Sequence, residues 1–244
     1  MWGIVLAAGG GTRLRPLTDT LPKTLLPVDG DRTIFEIVIA NLAAVAITDI
    51  VVVTGHAASL IDDSAGPLRD RYGVDLHPVF NDRYADWNNA YSLWLARDTF
   101  QHGALLVNGD TVHPVDVERQ LLDARGAAPM LLAVDDTKEL GEEEMKVRLT
   151  PEGTLSHINK GLAPDAVDGE YIGVSLIEPD AGEPLGAALR ATFERDTTLY
   201  YEDGYQELAD RGGVIRTAST KGATWIEVDN HDDLARAREI ACHY

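Results

Sequence analysis

VLAAGGGTRLRPLTDTLPKTLLPV, residues 5–28, decides how this chain is read. The apolar run 2–8 (WGIVLAA) ends in Gly9-Gly10-Gly11 and so reads as a buried strand opening into a glycine loop. Bare glycine backbone offers its N–H groups to an anion and lets phosphate oxygens come close. Arg13 and Arg15 add guanidinium groups that can each grip two phosphate oxygens, and Lys23 is a mobile charge whose approach Pro22 stiffens. An ordinary strand-to-helix turn with exposed arginines would need none of this convergence. A P-loop would end in Gly-Lys-Ser/Thr where this chain has Gly-Thr-Arg. A dinucleotide fingerprint would have a third glycine at Leu14, which weakens a dehydrogenase reading.

Outward from the loop, strands and helices alternate. Helical spacing at 33–47 is followed by a strand at 48–55 and another at 74–80. An amphipathic helix spans 88–98, a strand 103–110, a helix 115–125 and a strand 129–136. That rhythm predicts a mostly parallel sheet covered on both faces. After residue 140 the pattern changes to strand–turn–strand at 145–160 and a strand at 169–178. Helices follow at 183–194 and 200–211, then strands at 214–220 and 223–229 and a closing helix at 231–243. No repeat or linker divides the 244 residues, so one domain is expected, with a nucleotide-binding half at about 1–135 and an acceptor-binding half at about 136–244.

The 40 Asp+Glu residues against 21 Lys+Arg give a formal charge of −19, which disfavours nucleic acid and anionic membranes as partners. Cys242 is the single cysteine, so no intrachain disulfide is expected, and the seven histidines lack metal-ligand spacing. Without a signal peptide or an apolar run of ~20 residues, the expected location is cytoplasmic.

The stretch LAAGGGTRLRPLTDTLPKTLLPV resembles the signature of the nucleotidyltransferases that include nucleoside-diphosphate-sugar pyrophosphorylases. The likeness continues through LLVNGD, HINKGL, GEYIGVSLIE and WIEVDNHDDL. It implies an α/β, Rossmann-like three-layer sandwich with a mixed, mostly parallel sheet. It also implies transfer of a nucleotidyl group from an NTP to a phosphorylated small molecule, with pyrophosphate released. The segments DWNNAYSLWLA, EEMKV, YYEDGYQEL and WIEVDNHDDL look more like the short CTP-using branch, which acts on phosphocholine or phosphonates. The expected partners are therefore CTP and a small phosphate or phosphonate acceptor. A sugar-1-phosphate enzyme using dTTP, UTP or GTP, and a non-catalytic nucleotide-binding regulatory subunit, remain alternatives. No motif encodes the oligomeric state.

Site residues follow from the same motifs. Leu6, Ala7, Ala8, Gly9, Gly10, Gly11, Thr12 and Arg13 would hold the nucleotide, with Arg13 and Lys23 on its phosphates. Asn81, Asn88 and Asn89 could present amides to cytosine, although capping explains one of the latter pair equally well. Asp110 ends a strand, where ligands gather in open α/β sheets, and the resemblance makes it a Mg2+ ligand with Asp229. Glu227 falls on the same strand face and is an alternative second ligand. Lys160 resembles the lysine that holds the acceptor phosphate, and Lys146 is a further acceptor-side candidate. A cationic acceptor would want rings and acids, for which Glu170, Tyr171, Tyr201, Glu202 and Trp225 are the candidates.

Overall fold

The computed structural model describes residues 1–244. Its elements run β1 (Trp2–Ala7), β2 (Pro27–Asp29), β3 (Arg32–Thr33), α1 (Ile34–Ala44), β4 (Asp49–Thr54), α2 (Ala58–Tyr72), β5 (Asp75–Phe80), α3 (Asn89–Leu95), β6 (Ala104–Asn108), β7 (Thr111–Val112) and α4 (Asp116–Asp123). They continue with β8 (Met130–Asp135), β9 (Lys146–Leu149), β10 (Leu155–Asn159), β11 (Gly169–Ile177), α5 (Pro179–Arg195), α6 (Tyr201–Asp210), β12 (Ile215–Ser219), β13 (Ile226–Glu227) and α7 (His231–Ala241).

A nine-stranded sheet carries the order β10-β9-β11-β6-β1-β4-β5, with β8 also pairing β11 and β12 pairing β8. The strand β1 lies between parallel β4 and β6, which buries both its faces and explains its unbroken apolar sequence. The strand β11 is antiparallel to β6, β8 and β9, and β10 is antiparallel to β9. All the other strands of this sheet share one direction, so it is mixed and mostly parallel. Helices cover both faces. On one side α1, α2 and α4 contribute Phe35, Val38, Leu42, Ile61, Leu68, Val117 and Leu121 to the core. On the other, α3, α5 and α6 contribute Leu93, Leu185, Leu189, Tyr201 and Tyr205. A third apolar cluster packs Leu234 and Ala237 of α7 against Leu14, Val28 and Ile226, so the closing helix braces the first loop.

Besides the short β2–β3 hairpin and β7, three features depart from the sequence reading. The helix α2 has no counterpart in it, because Gly66-Pro67 interrupts the helical pattern and Ala57, at φ 48°, supplies no side-chain cap. The strand expected at 223–229 shrinks to Ile226–Glu227, since its only partner, β7, is two residues long. The strand β11 shifts register between Tyr171 and Ser175 around Gly173, whose φ is 81°. A Cβ at Gly173 would lie 2.6 Å from Asn108 Nδ2, so glycine lets this bulge close against the end of β6.

Candidate active site

The glycine loop leaves the carboxyl end of β1. A Cβ at Gly9 or Gly10 would meet nothing within 4 Å, so packing does not demand glycine there and the backbone faces open space. Gly11 is different: at φ 55° its added Cβ would come 3.1 Å from Lys23 Cβ. Glycine thus brings Lys23 under the loop. Leu14 is fully buried and anchors the turn, while Thr18 Oγ1 donates to the Gly11 carbonyl at 2.7 Å. Ala7 is buried, Leu6, Ala8 and Gly9 line a cavity, and Thr12, Arg13 and Arg15 are exposed.

Beneath the loop three carboxylates meet. Asp110 follows β6, Glu227 lies on β13 and Asp229 just beyond it; the antiparallel pairing of β7 with β13 brings them together. One oxygen from each lies within 4.8 Å of the others. Lys23 Nζ sits among them, 2.7 Å from Asp110 Oδ2 and 3.0 Å from Asp229 Oδ1. Arg13 Nη2 reaches Asp229 Oδ2 at 2.6 Å. The Asp229 backbone N–H donates to Asp233 Oδ2, within the capping box of α7.

The charges tune one another. Burial works against the Lys23 ammonium, but Asp110 and Asp229 prevail and hold its pKa above the usual lysine range. Burial likewise opposes the Asp229 charge, yet Lys23 and then Arg13 keep its pKa below the ordinary carboxylate value. Desolvation, followed by the charges of Asp110 and Asp229, pushes Glu227 up to about 8.

Two cavities meet here and share Glu143, Lys160 and Glu227. The first, about 220 Å3, runs from Leu6 and Gly9 past Asn89 and Asn108 to Tyr200 and Glu202. The second, about 570 Å3, extends from Arg13 and Asp229 to Trp225 and Glu170. Lys160 is half-buried at the junction, with Nζ 5.7 Å from the Tyr200 ring centre and no carboxylate partner. Glu202 is 6% exposed, and its Oε2 is buried without a hydrogen-bond partner. Burial pushes its carboxyl up to about 7.

Several expected residues sit elsewhere or are otherwise engaged. Lys146 does not face either cavity: it is 1% exposed, and its Nζ donates to the carbonyls of Glu142, Glu144 and Lys160. Asn81 is 1% exposed and does not line the first cavity itself; it donates to Ser92 Oγ, which does, and accepts from Arg83 N–H. Asn88 lines the first cavity but spends its amide capping α3 and donating to the Thr198 carbonyl. Asn89 accepts from Tyr201 N–H and keeps its Nδ2 without a protein partner. Tyr201 is fully buried, its hydroxyl bonded to Asn108 Oδ1, so its ring forms no cage wall. Tyr171 lines the first cavity but is 3% exposed, and its hydroxyl meets that of Tyr201 at 3.2 Å. Glu170 is paired with Lys138 at 2.8 Å. Trp225 lines the second cavity, away from Glu202, and its indole N–H donates to Asp135. The sequence reading missed Asn108, although period-two alternation from Asp110 would have found it. It also missed Glu143 and Met145, which reach the first cavity from a loop without periodicity.

The family model described as nucleotidyl transferase matches residues 2–139. The chain belongs to the nucleotidyl transferase family. Its curated relatives include cytidylyltransferases. It is 44% identical over 98 residues to a choline-phosphate cytidylyltransferase of Streptococcus pneumoniae, an alignment covering 40% of each chain. It is 30% identical to the CMP-5'-(3-aminopropyl)phosphonate synthase of Streptomyces rubellomurinus, over 96% of this chain and 38% of that protein. The aligned parts are thus less than half the length of these two relatives. A solved CTP:phosphocholine cytidylyltransferase from Streptococcus pneumoniae superposes with a TM-score of 0.74 at 25% identity, covering 98% of both chains. No helix of this nucleotidyl transferase is long and apolar enough to cross a membrane.

Proposed function

We propose that the protein is a Mg2+-dependent cytidylyltransferase that transfers the cytidylyl group of CTP to a small phosphate or phosphonate acceptor and releases pyrophosphate. The observation that carries this reading is the Lys23 ammonium held between Asp110 and Asp229 beneath the open glycine loop, where two cavities and Lys160 converge. Residues of about 1–135 would bear the nucleotide and those of about 136–244 the acceptor, with Asp229 and Glu227 returning to the first half.

An acceptor oxygen forms a bond to the α-phosphorus of CTP as the bond from that phosphorus to the bridging oxygen breaks. Pyrophosphate leaves with the electron pair. A phosphate or phosphonate oxygen is already ionised near neutral pH, so no general base is needed, and catalysis rests on positioning and charge neutralisation. The amides of Gly9, Gly10 and Gly11 and the guanidinium of Arg13 would grip the departing phosphates. Lys23 would exchange its carboxylates for phosphate oxygens, and Lys160 would draw in the acceptor anion.

Asp110, Asp229 and Glu227 fit a hard cation: their oxygens converge, and Asp110 Oδ1 is buried with no hydrogen-bond partner. Mg2+ bound there would neutralise charge developing on the α-phosphate. The buried, unpartnered Oε2 of Glu202 on the Lys160 side supports an acceptor that carries a cationic amine. A panel of CTP, UTP, dTTP and GTP against phosphocholine, aminoalkylphosphonates and sugar 1-phosphates, scored by pyrophosphate release, tests the reading. CTP with a cationic acceptor should give the fastest release. Preference for another nucleotide with a sugar phosphate would overturn it.

A further inference from the structure

The sequence places a lysine, Lys146, at the start of β9, and the fold buries it completely. It is paired across the sheet with Asn159 of β10 and Glu170 of β11. No carboxylate answers its charge. The three donors of its ammonium go instead to main-chain carbonyls, those of Glu142 at 2.9 Å, Glu144 at 3.3 Å and Lys160 at 2.6 Å. Two of these belong to the loop 136–145 and the third to the turn after β10. The loop sends Glu143 into both cavities and Met145 into the first, while the turn carries the Lys160 side chain to their junction. One ammonium therefore ties together two walls of the cleft that are not joined by strand pairing at these carbonyls.

The far end of the loop is held separately. Asp135 accepts from the N–H groups of Thr137 and Lys138, and Lys138 bridges Glu170 at 2.8 Å and Glu144 at 3.5 Å. Removing Lys146 would leave these contacts in place, along with the bond from Tyr171 N–H to the Met145 carbonyl, and would release the Glu142 and Glu144 carbonyls from the Lys160 turn.

We propose that Lys146 is a positioning residue: its ammonium fixes the loop 136–145 and the Lys160 turn relative to each other, and so sets where Glu143 and Lys160 meet the acceptor. Its effect on turnover rests on the cytidylyltransferase reading above; its effect on the loop does not. The test is hydrogen exchange read by mass spectrometry on Lys146→Met and Lys146→Arg, with kinetics alongside. In Lys146→Met, exchange across 139–145 and 159–162 should rise about tenfold or more, with β1 and α1 unchanged. Lys146→Arg, which retains donors, should restore most of the protection. The acceptor KM should rise about tenfold in Lys146→Met while the CTP KM stays put. Unchanged exchange in those two segments, or exchange raised equally in β1 and α1, would overturn the proposal, as would equal shifts in both KM values. If Lys146→Met does not fold, Lys146→Gln takes its place with the same outcomes. Wild-type protein that turns over no acceptor would overturn the cytidylyltransferase reading, and the exchange result would still decide the role of Lys146.

Discussion

Lys23 and Lys146 both withdraw an ammonium from bulk water, with opposite kinds of partner. Lys23 leaves 15% of its side chain exposed and rests on the carboxylates of Asp110 and Asp229. Lys146 is 1% exposed and rests on three main-chain carbonyls. Carboxylates on side chains can be exchanged for phosphate oxygens without disturbing the backbone. Main-chain carbonyls cannot be released without moving the loop that carries them. The first arrangement suits a group that acts on a ligand, and the second a group that holds a wall in place.

The sharpest way to break this contrast is at Asp110. Asp110→Asn should lower kcat by about a thousandfold while shifting Tm by only a few degrees, because it removes charge from the cleft and little packing. Retained turnover would remove Asp110 from the metal site. Lys23→Ala should cost about a hundredfold in kcat, leaving Asp110 without its ammonium partner and Asp229 with Arg13 alone. Its Tm should then rise more on adding Mg2+ than that of the wild type, since ion binding to the folded state would relieve the repulsion. Lys146→Met should behave in the opposite manner, losing about 2 kcal/mol of stability through unpaired carbonyls, with no new dependence on Mg2+.

Glu202 sharpens the comparison on the acceptor side. Burial raises its pKa to about 7, so between about pH 4 and 7 the folded protein holds a proton that the unfolded chain releases. The stability contributed is full below that window and is lost as pH rises through about 7. Glu202→Gln cannot ionise, so its stability relative to wild type should improve from about pH 5 to about pH 8, by about 3 kcal/mol at most. The KM for a cationic acceptor should fall over the same rise in pH for the wild type and stay flat in the variant. The smallest effect is expected at Arg13, whose bond to Asp229 is exposed. Arg13→Ala should change stability by less than about 0.5 kcal/mol but raise the CTP KM about tenfold.

Much of the sheet was legible because β1, β4, β6 and β8 are apolar runs bounded by turns. The glycine loop was legible because its charges lie close together in sequence. Long-range pairings were not. Arg13 meets Asp229 across 216 residues and Asn89 meets Tyr201 across 112, so no local pattern could say which polar groups are already engaged. Tyr201 looked like a cage wall because an aromatic beside acids suits a cation; packing beneath the cavity instead turned its hydroxyl to Asn108. Lys146 stands in the EEMKV segment as an acceptor-side candidate, but the loop carbonyls that bury its ammonium have no sequence signature. The helix α2 is hidden by Gly66-Pro67, which its exposed face tolerates.

A crystal of the protein with a non-hydrolysable CTP analogue and Mn2+ tests the central claim most directly. The account predicts an anomalous peak between Asp110 and Asp229, the polyphosphate over Gly9–Arg13, and the Lys23 ammonium turned from its carboxylates to a phosphate oxygen. A metal bound elsewhere, or Lys23 still seated between Asp110 and Asp229 with the nucleotide in place, would contradict it.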